Sequence, residues 1–326
     1  MEKVICIVGA TASGKTSLSV ELAKKINGEI ISADSMQIYK ELSVGTAKVT
    51  QEEMQGIPHH LIDFVNIRED FSVAQYKLLC YQKIEEIIKK GKIPIIVGGT
   101  GLYVSSVIND LNFEKTEVDE SFREKLYNDA KINGNEYIHK ILESIDPISA
   151  KEIHPNNLKR VIRAIEICKS GITKSQKVNE DKKRVNDKYD FMIFCLKWDK
   201  EILAERIDKR VDQMIEQGLE DEAKKVMKLN SGTLRQAIGY KEFGDYFNAL
   251  ASTSVTPGFT VERTLEGTIS LIKLRTRQYA KRQMTWFKKM RNIEYIEMDN
   301  EKSTESAMKD ALKKIVGKIY EEEKTK

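Results

Sequence analysis

The stretch Gly9–Thr16, with the sequence GATASGKT, follows the apolar run Val4–Val8 and precedes a helical pattern from Ser17 to Ile26. The spacing Gly-x4-Gly-Lys-Thr is typical of a phosphate-binding loop, in which glycines turn backbone N–H groups inward and a lysine adds positive charge. The N-terminus of the following helix adds unpaired N–H groups and a partial positive charge. We therefore predict an α/β fold with a site for a di- or triphosphate.

Every residue of this loop is a candidate ligand of the phosphate groups, and the hydroxyl of the last one is a candidate ligand of Mg²⁺. The eight residues are Gly9, Ala10, Thr11, Ala12, Ser13, Gly14, Lys15 and Thr16.

The composition is that of an ordinary globular protein, because hydrophobic residues make up 40% and charged residues 32% of the 326 positions. No apolar run approaches the roughly 20 residues that span a bilayer, and the N-terminus lacks a signal-peptide pattern. We therefore expect a cytoplasmic protein without membrane contact, acting as a monomer. The scattered cysteines and the histidines show no zinc-ligand spacing, which predicts buried free thiols and no structural metal.

Strand and helix patterns alternate after the loop. The short runs Glu29–Ser32 and Ile93–Val97 read as strands, and Ser72 and Gln75 have capping-box spacing at the start of a helix between them. Gly91 is expected to end that helix. The alternation predicts a parallel sheet flanked by helices, with the ligand site at the carboxyl ends of its strands.

Asp34 and Thr100 follow these two strands closely. Because the carboxyl ends of parallel strands share one edge of the sheet, we expect both side chains to lie there, beside the phosphate loop.

The strand pattern disappears from Glu114 to Lys188, where the sequence becomes helical and charged, and Phe191–Leu196 then resumes the sheet. We predict a P-loop core of residues 1–113 and 189–326, with a helical C-terminal part, and an inserted helical lobe of residues 114–188. Within the lobe, Asn156 or Asn157 is expected to cap a helix, and Lys174–Arg184 is expected to be a loop.

The most basic segment is Ile272–Arg291, which has eight lysines and arginines and no acidic residue. Lys273, Arg277 and Lys281 recur every four positions and would form one stripe along a helix. Such a stripe next to aromatic side chains suits a nucleic-acid backbone with unstacked bases. A solvated basic face with core aromatics is an equally good interpretation of this segment alone.

The motifs restrict the polyphosphate chemistry. A GTPase would carry Asn-Lys-x-Asp and Asp-x-x-Gly, and neither occurs in the sequence. An acidic residue that would bind Mg²⁺ in a motor ATPase is missing after Ile93–Val97, where Gly98 follows instead. Asp34 is the acidic residue that ends a strand near the loop, and it could act either as a metal ligand, as in a kinase, or as a general base.

The chain resembles the bacterial tRNA dimethylallyltransferase family from end to end. Besides Gly9–Thr16, the resemblance rests on nine further blocks in the same order. They are Asp34–Tyr39 (DSMQIY), Gly45–Lys48 (GTAK), Pro58–Asp63 (PHHLID), Gly91–Tyr103 (GKIPIIVGGTGLY), Asp146–Pro147, His154–Asn156 (HPN), Arg163–Glu166 (RAIE), Ile238–Lys241 (IGYK) and Thr276–Phe287 (TRQYAKRQMTWF). Ala10 and Val49 depart from the family, in which proline is usual, and neither change removes a catalytic side chain.

The resemblance implies transfer of a dimethylallyl group from dimethylallyl diphosphate to the exocyclic amine of the adenine 3′ to the anticodon in tRNA, with release of diphosphate. It implies that Asp34 is the general base. We add two hypotheses: Thr100 orients the base as a hydrogen-bond donor, and Arg210 is a second cation at the diphosphate. For Arg210 an ion pair on the helix surface, with Asp208 or near Glu216, is an equal alternative.

The resemblance also implies a set of tRNA contacts in three segments and at single positions, with the anticodon stem-loop as the partner and the insert as a mobile lobe. These residues are Asp34, Ser35, Met36, Gln37, Thr100, Arg123, Lys159, Arg160, Val161, Ile162, Arg163, Gln236 and Lys241, to which the basic stripe adds Lys273, Arg277 and Lys281.

Two rival functions use the same loop and sheet. A small-molecule kinase would not need the basic helix or the long insert, and an enzyme that prenylates free adenine nucleotides would have little use for Lys159, Arg160 and Arg163.

Overall fold

The computed structural model describes residues 1–113, 119–169, 171, 173–183, 186–229, 231–234, 236–251, 264–298 and 302–325. The chain divides into two compact units. The core unit comprises Met1–Val107 and Asp187–Lys326, and the lobe unit comprises Ile108–Asn186. Within the described residues, no helix combines the length and the apolarity needed to cross a membrane.

The core unit contains one sheet of six parallel strands in the order β3-β2-β4-β1-β5-β6. The strands are β1 (Glu2–Gly9), β2 (Gly28–Ser32), β3 (His59–His60), β4 (Ile93–Gly98), β5 (Tyr189–Lys197) and β6 (Ile293–Glu297). The predicted parallel sheet is therefore confirmed, and β3 and β6 are additions to it.

Helices flank this sheet. Those of the core unit are α1 (Lys15–Ile26), α2 (Gln51–Met54), α3 (Val73–Lys89), α4 (Gly101–Ile108, whose last residue falls in the lobe unit), α10 (Lys200–Glu216), α11 (Leu219–Met227), α12 (Phe243–Ala251), α13 (Leu265–Phe287) and α14 (Thr304–Thr325). The lobe unit contains α5 (Glu120–Asn133), α6 (Asn135–Ile145), α7 (Pro147–Glu152), α8 (Leu158–Lys169) and α9 (Lys174–Lys183).

The main hydrophobic core lies on one face of the sheet. Ile5 and Ile7 of β1 pack there with Leu18 and Leu22 of α1 and with Ile315 of α14, all of them at most 2% exposed. Each such side chain contributes roughly 1.5–3 kcal/mol when it is fully buried. Successive strand residues point to opposite faces, so the alternate residues of β1 face the other helical layer, and β1 is apolar throughout.

The ends of α3 are as the sequence predicts. The Ser72 hydroxyl accepts the Gln75 N–H at 3.2 Å, and the Gln75 side chain accepts the Ser72 N–H at 2.8 Å, which completes the capping box. The helix ends at Lys89, and Gly91 has a φ of 69°.

The lobe unit has its own core, to which α5, α6 and α8 contribute Leu126, Leu142 and Ile165. Its helix α9 overturns the prediction of a loop at Lys174–Arg184, because residues 174–183 are helical. A capping box marks the start of this helix: the Thr173 hydroxyl accepts the Gln176 N–H, and the Gln176 side chain accepts the Thr173 N–H. This is the same reciprocal arrangement as at α3, hidden in a very polar segment that lacks an apolar stripe.

Candidate active site

The phosphate loop joins β1 to α1 and lines a cavity of about 620 Å³, called here the first cavity. Gly14, directly before α1, has a φ of 90°, and a Cβ at this position would lie 1.9 Å from Met308 Cε. Left-handed backbone of this kind strongly favours glycine. Thr16, in the first turn of α1, lines the same cavity at the positive end of the helix.

Side chains behind the loop bind its carbonyl groups. Arg206 Nε donates to Ala12 O at 2.8 Å, and Trp198 Nε1 donates to Ser13 O at 3.0 Å. The Arg206 guanidinium also lies over the Trp198 ring, 4.5 Å from its centroid. With these carbonyls bonded to the protein, the loop is suited to present N–H groups to an anion.

Two half-buried cations, Lys15 and Arg210, face this cavity. Lys15 Nζ donates to Gly9 O at 3.1 Å and to Ala10 O at 2.6 Å. Burial, and then the charge of Arg210, lower the pKa of Lys15 to about 8 against the opposing effect of Asp34. Burial also lowers the pKa of the Arg210 guanidinium, which Asp34 partly offsets. The lining also includes Arg206, Lys209 and Lys48, against the carboxylates of Asp34 and Glu53, so positive charge is in excess and an anionic ligand would balance it.

Polar atoms without partners point to such a ligand. Among the described residues, Ser13 Oγ and Arg210 Nε are buried and make no hydrogen bond. Buried polar groups are usually paired, so each is a site where a ligand atom is expected. Asp208, the alternative partner proposed for Arg210, accepts both of its hydrogen bonds from Arg277 Nη1 instead, at 2.6 Å.

Asp34 lies just beyond the end of β2, and β4 separates β2 from β1 in the sheet. Its Oδ1 accepts the N–H groups of Met36 at 2.8 Å and Gln37 at 3.3 Å. Its Oδ2 accepts none of the hydrogen bonds found within the described part of the chain. The carboxylate is thus held by one oxygen and lines both the first cavity and a second one.

Thr100 acts on the loop around Asp34. Its N–H donates to Ala33 O at 3.1 Å, and its Oγ1 accepts the Ser35 N–H at 3.0 Å. The same hydroxyl donates to Ser35 Oγ at 3.3 Å. Thr100 therefore fixes the residues on either side of Asp34, which fits the orienting part of its expected role.

The second cavity has a volume of about 270 Å³. Met36, Gly45 and Thr46 form one wall, and Gln236–Gly239 together with Lys241 form another. Asp34, Arg210 and Tyr279 line both cavities, so a carboxylate and a cation stand where the two cavities meet. A phosphate-bearing donor in the first cavity and an acceptor in the second would meet at Asp34.

The basic stripe of α13 is partly occupied by partners within the protein. Lys273 Nζ lies 2.6 Å from an Asp212 carboxylate oxygen, and Arg277 pairs with Asp208 on the same helix, α10. Lys281 is exposed. Two of the three cations thus join α13 to α10, which leaves less free charge for a phosphate backbone than the sequence alone indicates.

The lobe residues expected at tRNA differ in their availability. Lys159 and Arg160 are exposed. Val161 and Ile162 are at most 1% exposed and pack in the core of the lobe unit, so their side chains are not available to a ligand. Helical periodicity explains this, because a contiguous stretch of five residues covers more than one face.

Arg123 and Arg163 share one partner. Arg123 Nε lies 2.6 Å from Glu166 Oε1, and Arg163 Nη1 lies 3.0 Å from Glu166 Oε2. Glu166 is 6% exposed, so these pairs have a structural role in the lobe unit in addition to any contact with a ligand.

Gln283 and Tyr279 of α13 are residues whose place at this site the sequence did not predict, since it shows Tyr279 only as an aromatic residue beside the basic stripe. Gln283 Oε1 accepts the Thr11 N–H at 2.8 Å, and its Nε2 donates to Gly99 O at 3.0 Å. One N–H of the phosphate loop is thus committed to a side chain. Burial, and then the charge of Asp34, raise the pKa of Tyr279 to about 12, which keeps this hydroxyl protonated. The sequence did contain one signal for Gln283: a polar residue on the apolar side of α13, where a buried hydrogen-bond partner is expected.

His59 is a third such residue. Its Nδ1 lies 2.8 Å from Ile57 O, which assigns the proton to Nδ1 and leaves Nε2 as an acceptor. Nε2 is buried in the wall of the first cavity without a partner among the described residues, and burial lowers the pKa of the ring. The block Pro58–Asp63 contains this histidine, but nothing in the sequence indicated a role for its side chain.

Comparison with known proteins identifies the family. The model of the IPP transferase family matches residues 37–290. The chain belongs to the IPP transferase family. A tRNA dimethylallyltransferase of Acetivibrio thermocellus is 46% identical over 313 residues, which cover 95% of this chain and 96% of that protein.

Solved structures of the IPP transferase family agree with the fold. The full-length tRNA isopentenylpyrophosphate transferase of Bacillus halodurans is 41% identical with a TM-score of 0.69, covering 100% of this chain and 99% of that one. A eukaryotic dimethylallyltransferase acting on tRNA is 35% identical with a TM-score of 0.75, covering 91% and 74%. The predicted resemblance is therefore confirmed, as is the P-loop type of sheet.

Proposed function

We propose that the protein transfers a dimethylallyl group from dimethylallyl diphosphate to the exocyclic amine of the adenine 3′ to the anticodon in tRNA, releasing diphosphate. As a member of the IPP transferase family, the protein is a prenyl-transferring enzyme. The observation that carries the proposal is the meeting of an anion cradle and a carboxylate, Asp34, at two adjoining cavities. A tRNA substrate also implies a cytoplasmic location.

The cradle suits the departure of diphosphate. An allylic carbon tolerates developing positive charge, so the main demand is stabilisation of a highly anionic leaving group. Lys15, Arg210 and the N–H groups at the start of α1 supply fixed positive charge where that anion would form. Lys15 and Arg210 are half-buried, so water screens their charges less than it screens those of exposed side chains.

Asp34 is the group that can relieve the nucleophile of its proton. The lone pair of an adenine amine is delocalised into the ring, and the nitrogen must lose a proton as the new C–N bond forms. The unbonded Oδ2 of Asp34 can accept that proton, while the bonds to Oδ1 hold the carboxylate in place. Tyr279 can remain a donor beside it because of its raised pKa.

The residues present fit a Mg²⁺ ion that arrives with the substrate. The described residues contain no group of three or more His, Cys, Asp or Glu side chains that could hold a metal. Mg²⁺ is often bound by substrate phosphates, water and few protein ligands. Thr16 and the diphosphate oxygens would hold it, and the ion would spread the charge of the departing anion.

The target adenine must leave its stack to reach Asp34. Base flipping costs a few kcal/mol, which contacts to the tRNA must offset. The second cavity supports this step, since the polar side chains of Gln236 and Lys241 line it together with Met36 and Thr46. The exposed Lys159 and Arg160 of the lobe unit are suited to phosphate contacts, as is Lys281.

Replacing both Lys159 and Arg160 with alanine is expected to weaken tRNA binding and to reduce the slope of log K against log salt concentration by about one per lost phosphate contact. Fluorescence anisotropy of an anticodon stem-loop over a salt series measures both. The control replaces Lys131 and Lys140, two exposed lysines of α5 and α6. An unchanged slope in the first variant would contradict the assigned contact.

The pH dependence of kcat/KM for the prenyl diphosphate is expected to show a decline above about pH 8. This parameter reports the free enzyme, in which Lys15 loses its charge as the pH passes its lowered pKa of about 8. The charged form falls about tenfold by one unit above the pKa. Bound diphosphate favours the charged lysine, so kcat should decline only at higher pH. A kcat/KM that stays flat to pH 9.5 would contradict the combination of a lowered pKa at Lys15 and a need for its charge.

The function is tested by incubating the protein with dimethylallyl diphosphate, Mg²⁺ and an anticodon stem-loop, followed by mass analysis of the adenosine. The expected product carries one dimethylallyl group on the adenine 3′ to the anticodon. Turnover of free AMP in preference to the stem-loop would favour the nucleotide-prenylating alternative. Phosphoryl transfer from labelled ATP to a small acceptor would favour a kinase.

A further inference from the structure

Glu222 is a carboxylate on the first turn of α11 that accepts four hydrogen bonds. Its Oε2 accepts the N–H groups of Ser43 at 3.1 Å and Val44 at 3.0 Å. Its Oε1 accepts the Gly45 N–H at 3.0 Å and the Tyr240 hydroxyl at 2.6 Å. Three consecutive backbone donors and a phenol thus converge on one side chain that does not itself line either cavity.

These bonds join the two walls of the second cavity. Gly45 belongs to one wall, and Tyr240 stands in the sequence between Gly239 and Lys241 of the other wall. A Cβ at Gly45 would lie 2.6 Å from Tyr240 Cζ, so the backbone of one wall rests directly on the ring of the other. Tyr240 is fully buried, and burial followed by the bond to Glu222 raises its pKa, which keeps the hydroxyl a donor.

The same wall continues to the general base. Gln37 Nε2 donates to Thr46 O at 3.0 Å and to Ala47 O at 3.2 Å, and the Gln37 N–H donates to Asp34 Oδ1. A continuous set of hydrogen bonds therefore runs from Glu222 through the 43–47 loop to Asp34. The phosphate loop is held separately, by Arg206, Trp198 and Gln283.

We propose that Glu222 is a positioning residue that sets the spacing of the acceptor cavity and the place of Asp34 in it, without acting on the prenyl diphosphate. This inference rests on the function proposed above. Since three backbone donors require acceptors, a carboxamide cannot replace the carboxylate: its NH2 group would face at least one N–H group. Buried donors left unpaired are costly, so the wall is expected to shift.

The Glu222→Gln variant is expected to lower kcat/KM for an anticodon stem-loop about tenfold or more, while KM for dimethylallyl diphosphate stays within about twofold. Loss of a negative charge by itself would strengthen RNA binding and raise kcat/KM for the stem-loop. The expected fall in kcat/KM therefore cannot come from the change in charge. Glu220→Gln is the matched control: it removes the same charge from the same turn, where Glu220 accepts a bond from Tyr246 at 3.1 Å.

Two further variants separate a positioning effect of Glu222 from a general loss of the fold. Tyr240→Phe removes one of the four hydrogen bonds and should act in the same direction with a smaller effect. Glu222→Asp keeps the charge but withdraws the carboxylate, and it should resemble Glu222→Gln. The affinity for a non-reactive prenyl diphosphate analogue, measured by titration calorimetry, should match that of the wild type in all three variants.

An equal rise of KM for both substrates, or equal behaviour of Glu222→Gln and Glu220→Gln, would overturn the inference. If Glu222→Gln fails to fold, Tyr240→Phe decides, and unchanged stem-loop kinetics in that variant would overturn it. Failure of the proposed function looks different, since the wild type itself would then not prenylate the stem-loop.

Discussion

Replacing Asp34 with asparagine is expected to lower the rate of prenyl transfer by about 10²–10⁴-fold and to leave tRNA affinity within about twofold of the wild type. The asparagine carbonyl can still accept the N–H groups of Met36 and Gln37, so the local turn is retained. What is lost is a group that can take the proton from the amine. Single-turnover kinetics with tRNA bound beforehand separates this chemical step from binding.

Asp70→Asn, at an exposed carboxylate, is the control for the loss of one negative charge. It should leave the single-turnover rate unchanged. Wild-type turnover in Asp34→Asn would remove Asp34 from its role as the base and leave the metal-ligand interpretation of this residue to be tested.

Replacing Lys15 with methionine is expected to lower kcat/KM for dimethylallyl diphosphate by about 10²–10³-fold. Methionine retains much of the volume of the lysine stem but provides no positive charge where negative charge would develop on the departing diphosphate. The variant loses the hydrogen bonds of Lys15 Nζ to Gly9 O and Ala10 O, but it also removes a charge whose pKa is lowered by burial and by Arg210, so its unfolding temperature should stay near that of the wild type. Steady-state kinetics and thermal unfolding together test the assignment.

Lys25→Met is the matched control, since Lys25 is an exposed lysine on the same helix. It should retain wild-type kcat/KM. A Lys15→Met variant that loses activity only because it unfolds would show lower stability, and a folded variant with normal kinetics would contradict the role of Lys15.

The elements that position the phosphate site could be predicted because their signals are local. The apolar run before Gly9, the loop spacing and the capping box at Ser72 each depend on a few neighbouring residues. By contrast, β3 is two residues long, and β6 contains only one fully buried side chain, Ile296. Strands of this kind form because neighbouring strands pair with them, and a short local sequence pattern carries no information about that pairing.

Side-chain partners distant in sequence could not be predicted. Gln283 meets Thr11 across 272 positions, and Glu222 meets the backbone at Ser43 across 179. Likewise, the charges of the α13 stripe gave no sign that Asp208 and Asp212 would neutralise Arg277 and Lys273. Charge patterns identify a face of a helix, whereas only the packing of α10 on α13 decides whether that face is free.

We propose that two groups act in the same reaction: the phosphate loop with Lys15 and Arg210 stabilises the departing diphosphate, and the Asp34 carboxylate accepts the proton from the adenine amine. The most direct test is a crystal structure with Mg²⁺, an anticodon stem-loop and a thiolo analogue of dimethylallyl diphosphate that cannot react. We expect the diphosphate oxygens within hydrogen-bonding distance of Lys15 and Arg210, and the adenine amine about 3 Å from an Asp34 carboxylate oxygen. A diphosphate bound outside the phosphate loop, or an amine directed away from Asp34, would contradict this proposal.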